Sequence, residues 1–224
     1  DYEKRDKRFE ATIAYNNCTV DIPEAKTLSL AGSEGTGKGT YQVFTKASDE
    51  SQTSDKQHRF DSYNGTQDRT ATGYYTLKNY NADMVDSKGN TYKSLMEIRY
   101  ADVLLMFAEA QNEVDATPSD AVYDAVNRVR GRVGMPTYAY GSKSQSEMRE
   151  IIRHERRVEF AGEGLYYNDI RRWMTAELVM NAVIQDYAGT DIAVRAFDPD
   201  RDYWWPVPAD QILLNKKLEQ NPNY

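Results

Sequence analysis

Cysteine is nearly absent. The single Cys18 among 224 residues excludes an internal disulfide framework and any cysteine-based zinc cluster, and with no histidine nearby to activate it the thiol reads as inert. Histidine is almost as scarce. His58 and His154 lie far apart and neither has a partner at ligand spacing, so no histidine metal site and no cofactor are expected; an oxygen-only calcium site in an acidic loop would leave no readable signature. A surplus of positive charge is missing too. The net charge of -7 argues against non-specific nucleic-acid binding, because a phosphate backbone is held mainly by Lys and Arg. No apolar run approaches the length of a membrane span. No signal peptide is visible at the start, where Asp1 to Phe9 is already dense with charge. That abrupt opening fits a natural start or a cut inside a longer protein.

What is present divides into two expected regions, a variable region of loops and short strands over 1–95 and a helical core with an extended tail over 96–224. In the first, Phe9, Ala11 and Ile13 alternate with polar neighbours, as do Leu28 and Leu30, and Tyr41 to Thr45 has a β-like pattern. The simplest reading is a hairpin closed by the loop Gly32 to Thr40. Residues 46–72 are polar and read as a long connection. Tyr74 to Leu77 reads as one more short strand.

In the second region, Ala101, Leu104, Leu105 and Ala108 fall at i, i+3, i+4 and i+7, one face of a helix. Thr117 and Pro118 read as the cap and first turn of the next helix, on which Val122, Ala125, Val126 and Val129 repeat the spacing. Gly134 and Pro136 end it. Ser144 and Glu147 form a capping-box pattern for a third helix, whose Met148, Ile151, Ile152 and Glu155 share a face. A fourth runs from about Leu165 to Trp173. From Thr175 to Arg195 the pattern weakens, and Pro206 and Pro208 favour an extended tail anchored by its aromatics. Helix pairs with short turns are tetratricopeptide-like units, and one alone needs a partner surface.

Three constellations invite chemistry. Gly32 to Lys38 fits the first seven positions of a phosphate-binding G-x-x-x-x-G-K loop, but Gly39 stands where a hydroxyl is required and the following residues look like strand rather than helix. A plain loop is the better reading. Glu155, Glu159, Glu163 and Asp169 would serve a hydrolase, yet each has an arginine close in sequence: Arg156, Arg157, Arg171 or Arg172. A guanidinium holds a carboxylate ionised, which suits a structural network pinning helices better than a proton shuttle. No enzymatic activity is expected. The third constellation is Tyr63, Tyr74, Tyr75 and Tyr80, in or beside polar loops rather than on a periodic apolar face. Flat rings there either pin the loops or stack on the apolar C–H faces of sugar rings, and these four are the candidate ligand-binding residues.

Five blocks then stand in order: Arg99 to Glu113; Asn127 to Arg130 with Gly134; Glu155 to Ala161 with Glu163-Gly164; Asp169 to Trp173; and Trp205-Pro206-Val207-Pro208 with Gln220 to Tyr224. Together with Lys7-Arg8-Phe9 and Ala11-Thr12-Ile13, they resemble the C-terminal part of the SusD/RagB family of Bacteroidetes glycan-binding lipoproteins. The resemblance implies a mainly α fold of tetratricopeptide-like helix hairpins with long irregular loops and a few short β-strands. It also implies non-catalytic binding of an oligosaccharide or polysaccharide, in some members a peptide, on the outer face of the outer membrane, for uptake through a SusC-like TonB-dependent transporter. The family's N-terminal half and its lipidated cysteine have no counterpart here, and Cys18 cannot be that anchor. The chain is therefore expected to be a C-terminal portion whose partners include the missing half. The alternative expectation is a scaffold segment that docks the transporter or that half, with ligand bound elsewhere.

Overall fold

The structure is a computed structural model and describes residues 5–15, 18–22, 39–42, 72–78, 96–186 and 189–224. These fall into two compact units, one ending at Glu163 and one running from Gly164 to Tyr224.

The first unit opens with a short helix α1 (Arg8–Thr12), strand β1 (Ile13–Tyr15), strand β2 (Thr19–Ile22), strand β3 (Gly39–Gln42) and strand β4 (Tyr74–Thr76). The expected alternation through Phe9, Ala11 and Ile13 is corrected: Arg8 to Thr12 is helical. The buried residues there are Arg8 and Thr12, four apart, and the Asp6 carboxylate accepts the Arg8 backbone N–H at 2.9 Å, turning the chain. Hydrophobicity alternates while burial follows the helical period. Tyr74 to Leu77 is a strand over Tyr74–Thr76. Of Tyr41 to Thr45, Tyr41 and Gln42 lie in β3, which begins at Gly39 within the expected loop, and residues 43–45 lie outside the described residues. β2 pairs antiparallel with β3, and β4 pairs antiparallel with β1. Leu28, Leu30, the Gly-rich loop up to Lys38 and almost all of 46–72 lie outside the described residues.

The core of this unit is three helices, α2 (Tyr100–Val114), α3 (Asp120–Arg132) and α4 (Gln145–Glu159). α2 packs on both of the others through a row of Leu105, Ala108 and Asn112, each wholly buried. Ala108 lets the neighbouring backbone approach, and a buried Leu such as Leu105 contributes about 1.5–3 kcal/mol. α3 buries the expected Val122, Ala125, Val126 and Val129, plus Tyr123. It starts at Ser119 rather than Thr117, and Pro118 is buried instead of opening the helix. Gly134 follows it with φ +67°, the left-handed place where a Cβ is penalised. α4 has the capping box: Ser144 N–H donates to Glu147 Oε2 at 2.8 Å and Glu147 N–H to Ser144 Oγ at 3.3 Å. Side-chain amides tie the ends together. Gln145 Nε2 donates to the carbonyls of Asn112 and Asp115 at 2.9 and 2.8 Å, and Asn112 Nδ2 returns a bond to Gln145 O at 3.1 Å. Carbonyls at the end of α2 are thereby satisfied.

In the second unit, α5 (Leu165–Arg172) is followed by α6 (Ala176–Met180), a hairpin of β5 (Ala182–Gln185) and β6 (Asp191–Arg195), and α7 (Ala209–Leu214). Its core is small: Ile170, Ala176, Phe197 and Tyr203, with Tyr166, Tyr167, Trp173, Val179 and Met180 against it. Asn181 clips Phe197 into place, accepting its N–H at 2.6 Å and donating to its carbonyl at 3.1 Å. Gln220 clips Val207 in the same way, at 2.7 and 3.0 Å. Tyr203 is the aromatic that anchors the tail, while Trp204 and Trp205 are each 65 % exposed. Among the described residues of both units, no helix is long and apolar enough to cross a membrane.

Candidate functional site

The charged stretch forms a buried ion cluster whose cations come from further away than sequence adjacency indicated. Glu155 and Glu159 lie on one face of α4 and are 1 % and 2 % exposed. Arg8 Nη1 reaches Glu155 Oε1 at 2.7 Å and Glu159 Oε2 at 2.9 Å, while its other nitrogens fork onto Asp6. Arg130 Nη1 takes Glu155 Oε2 at 2.9 Å. Arg132 takes both oxygens of Glu159 at 2.8 Å, and Arg99 bridges Glu159 at 2.8 Å and Glu163 at 2.7 Å. Lys78 adds a pair with Glu163 at 2.6 Å. Arg156, from within the stretch, bonds Asp102 on α2 at 2.7 Å, and Arg172 bonds Asp169 at 2.9 Å in the second unit.

Both oxygens of Glu155 and of Glu159 are thus held by guanidinium groups. Burial pushes the carboxyls of Glu159 and Glu163 up, but the bonds and charges of Arg99, Arg8, Arg132 and Lys78 outweigh it and hold both below their ordinary 4.5. Asp6 is held below 3.8, chiefly by its bonds from Arg8. Fixed charges of this kind suit a structural joint, not a proton carrier. The sign of the pH dependence follows. Carboxyls with depressed folded values contribute stability fully above their unfolded values and lose it as pH falls through the folded ones. The melting midpoint should therefore change little from about pH 7 to about pH 5, then drop steeply below about pH 4.5. A Glu159→Gln protein followed by circular dichroism should show a shallower drop, and an identical slope would contradict this role.

Of the four tyrosines read as ligand contacts, Tyr63 and Tyr80 lie outside the described residues. Tyr74 and Tyr75 are consecutive on β4, facing Tyr15 and Ala14 of β1. Adjacent strand residues point to opposite faces, so the two rings do not make one platform. Tyr74 is 44 % exposed and Tyr75 is half-buried.

A concavity of about 360 Å³ opens between α1 and α4. Phe9, Ile13, Val158 and Ala161 give it apolar walls, and Arg5, Asp6, Arg8, Thr12, His154 and Arg157 complete the lining. Sequence reasoning weighed His154 only as a metal ligand. The missed signal is a stripe: 154, 157, 158 and 161 stand at i, i+3, i+4 and i+7, the same helical spacing that reveals a core face but with mixed polarity. In the second unit, Arg171 lies 5.4 Å from the Tyr167 ring and 5.2 Å from that of Trp205. Asn221 Nδ2 holds the Trp205 carbonyl at 2.5 Å, so the exposed indole is set on a braced backbone.

Comparison with known proteins places this geometry. The model of the SusD family matches residues 1–224. The chain is 36 % identical over 134 residues to SusD-like protein P2 of Formosa agariphila, a match over 57 % of this chain and 25 % of that one. SusD-like protein P38 of the same organism is 30 % identical over 138 residues, 58 % of this chain and 25 % of its own. Among solved structures, a SusD-like protein of Bacteroides fragilis superposes with a TM-score of 0.72 at 26 % identity, over 100 % of this chain and 39 % of that one. A second from that organism, described as a SusD-like carbohydrate binding protein, gives 0.70 at 28 % identity, over 97 % of this chain and 42 % of its own. The chain thus spans well under half the length of these relatives.

Proposed function

Because this chain belongs to the SusD family, we propose that it binds oligosaccharide or polysaccharide at the bacterial cell surface without altering it, for uptake through a SusC-like TonB-dependent transporter. The observation that carries this reading is the whole-chain family match, joined by likeness to a structure described as a carbohydrate-binding protein. The carboxylates that a hydrolase would use are committed to arginines in the ion cluster, which supports binding without turnover. The protein then acts on the outer face of the outer membrane, its lipid anchor carried on an N-terminal half that pairs with this portion. Tyr63, Tyr74, Tyr75 and Tyr80 are its ligand contacts. Tyr74 presents its ring to solvent, where stacking on a sugar contributes on the order of 1 kcal/mol.

Titration of the protein with a panel of glycans by calorimetry tests this. Tyr74→Ala should weaken the bound glycan by about fivefold, and release of reducing ends from any glycan would overturn the non-catalytic reading. A second reading is favoured by the outer face of α2. Val103, Met106 and Phe107 are each 45 % exposed and Val114 81 %, an apolar row opposite the buried one, and a helix apolar on two sides has two neighbours. On that reading this region docks the transporter or the N-terminal half, and ligand is bound elsewhere. Intact glycan binding after Tyr74→Ala, with transporter association lost in Met106→Asp, would favour it over the first.

A further inference from the structure

We propose that Trp205, backed by Tyr167 and Arg171, is a stacking platform for a pyranose ring, a glycan contact that lies wholly in the second unit. This inference rests on the glycan-binding reading and adds a contact separate from Tyr74. Trp204 and Trp205 are neighbours of equal exposure, each 65 %, yet only one indole is braced. The Trp205 ring lies 6.3 Å from that of Tyr167, tilted by 56°. The Arg171 guanidinium stands 5.2 Å from the Trp205 ring centroid. Tyr167 and Arg171 are four apart on α5, so one helix face supplies both supports. The backbone is fixed as well. Asn221 Nδ2 donates to the Trp205 carbonyl at 2.5 Å, Pro206 restricts the next φ, and Gln220 holds Val207 by its N–H and its carbonyl. Among the described residues, Trp204 has its carbonyl held by Tyr224 at 2.9 Å but neither a ring nor a guanidinium against its indole.

These supports decide what the platform can take. A ring held in place before binding loses little rotamer freedom when a ligand arrives. A cation against one part of the indole gains from the ring's quadrupole and leaves the rest of the ring in water. Arg171 also supplies a polar edge. Its Nη2 donates to the Tyr203 carbonyl, its Nε is enclosed without an acceptor, and among the described residues no carboxylate pairs with it. That leaves Nη1 for an acceptor brought from outside. A guanidinium donates and never accepts, so the ligand has to bring oxygen acceptors beside a flat apolar face. A sugar residue has both: C–H groups across its face, hydroxyl and ring oxygens at its edge. An aliphatic protein surface offers the face without the acceptors.

The test titrates the 224-residue protein with cellohexaose, xylohexaose, maltohexaose and laminarihexaose by calorimetry, with tryptophan fluorescence read alongside. At least one sugar should bind and change the emission. Trp205→Ala should weaken that sugar about tenfold, while Trp204→Ala, which removes an equally exposed indole, should change its affinity by less than about twofold. Trp205→Phe keeps a flat ring and should bind within about threefold of the unsubstituted protein, but with the emission change lost, which assigns the signal to that ring. Arg171→Gln should weaken binding about fivefold and shrink the emission change. Unchanged melting midpoints show that the variants are folded. Equal losses in the two alanine proteins identify a general apolar contact and overturn the platform. Full affinity in Trp205→Ala also overturns it, while leaving glycan binding in place. Binding of none of the four sugars by the unsubstituted protein overturns both.

Discussion

Glu159→Ala should lower the unfolding free energy by about 3–5 kcal/mol, the cost of breaking a buried ion pair from one side. Three arginines converge on this carboxylate. Truncation leaves them without their common acceptor. Their shares differ. Arg132 has a side chain 56 % exposed and is rehydrated on release, so its contribution is small. Arg8, at 9 %, keeps Asp6 and a Glu155 that it shares with Arg130, but its Nη1 loses one of its two buried acceptors. Arg99 keeps Glu163. The loss is therefore concentrated where α1 meets α4. Glu159→Gln, which keeps one acceptor oxygen, should cost clearly less. Urea titration separates the two; a loss under about 1 kcal/mol for the alanine protein would mean that the cluster is solvated like a surface pair.

Phe197→Ala should unfold the second unit while the first stays folded. Deleting a buried phenylalanine costs about 3–5 kcal/mol. Here it removes one of the four buried hydrophobic residues of that core, the one in edge-to-face contact with Tyr203 at 4.9 Å. The Asn181 clip, which fixes the Phe197 backbone, cannot replace that area. Hydrogen exchange should show protection lost across α5 and α6 and retained across α2 to α4, as expected of separate cooperative units. Simultaneous loss in all five helices would show a single cooperative unit.

The parts of this fold that were legible in the sequence are those whose burial and hydrophobicity coincide. Val122, Ala125, Val126 and Val129 announce α3, and Ser144 with Glu147 announces the start of α4. α1 was illegible because its buried residues are Arg8 and Thr12, polar groups whose burial depends on carboxylates far along the chain. The ion cluster was half legible. Its carboxylates and its structural character were read from Glu155 and Glu159, but its cations were sought among their neighbours. Residues adjacent on a helix point in different directions, and Arg8, Arg99, Arg130 and Arg132 supply the charge. The β5–β6 hairpin gave no signal because every residue of β6 is exposed, so there is no alternation to read. It is fixed locally: Asp186 N–H donates to the Thr190 carbonyl and its carboxylate accepts the Thr190 N–H, both at 2.8 Å. Neither Tyr74 with Tyr75 nor the cavity wall was legible as geometry, since strand pleat and helix docking decide which rings and cations meet.

The ion cluster also imposes an order of assembly. During synthesis Arg8 leaves the ribosome first, and Glu155 follows 147 residues later, a delay of roughly 7 to 30 s at ~5–20 residues per second. Arg130 and Arg132 wait for only 25 and 27 residues before their carboxylates arrive. The α3–α4 half of the joint is therefore expected to close before α1 reaches its carboxylates on α4, because short loops close more readily than long ones. Docking of α1 is then the long-range step of the joint, made onto helices whose charges are already in place.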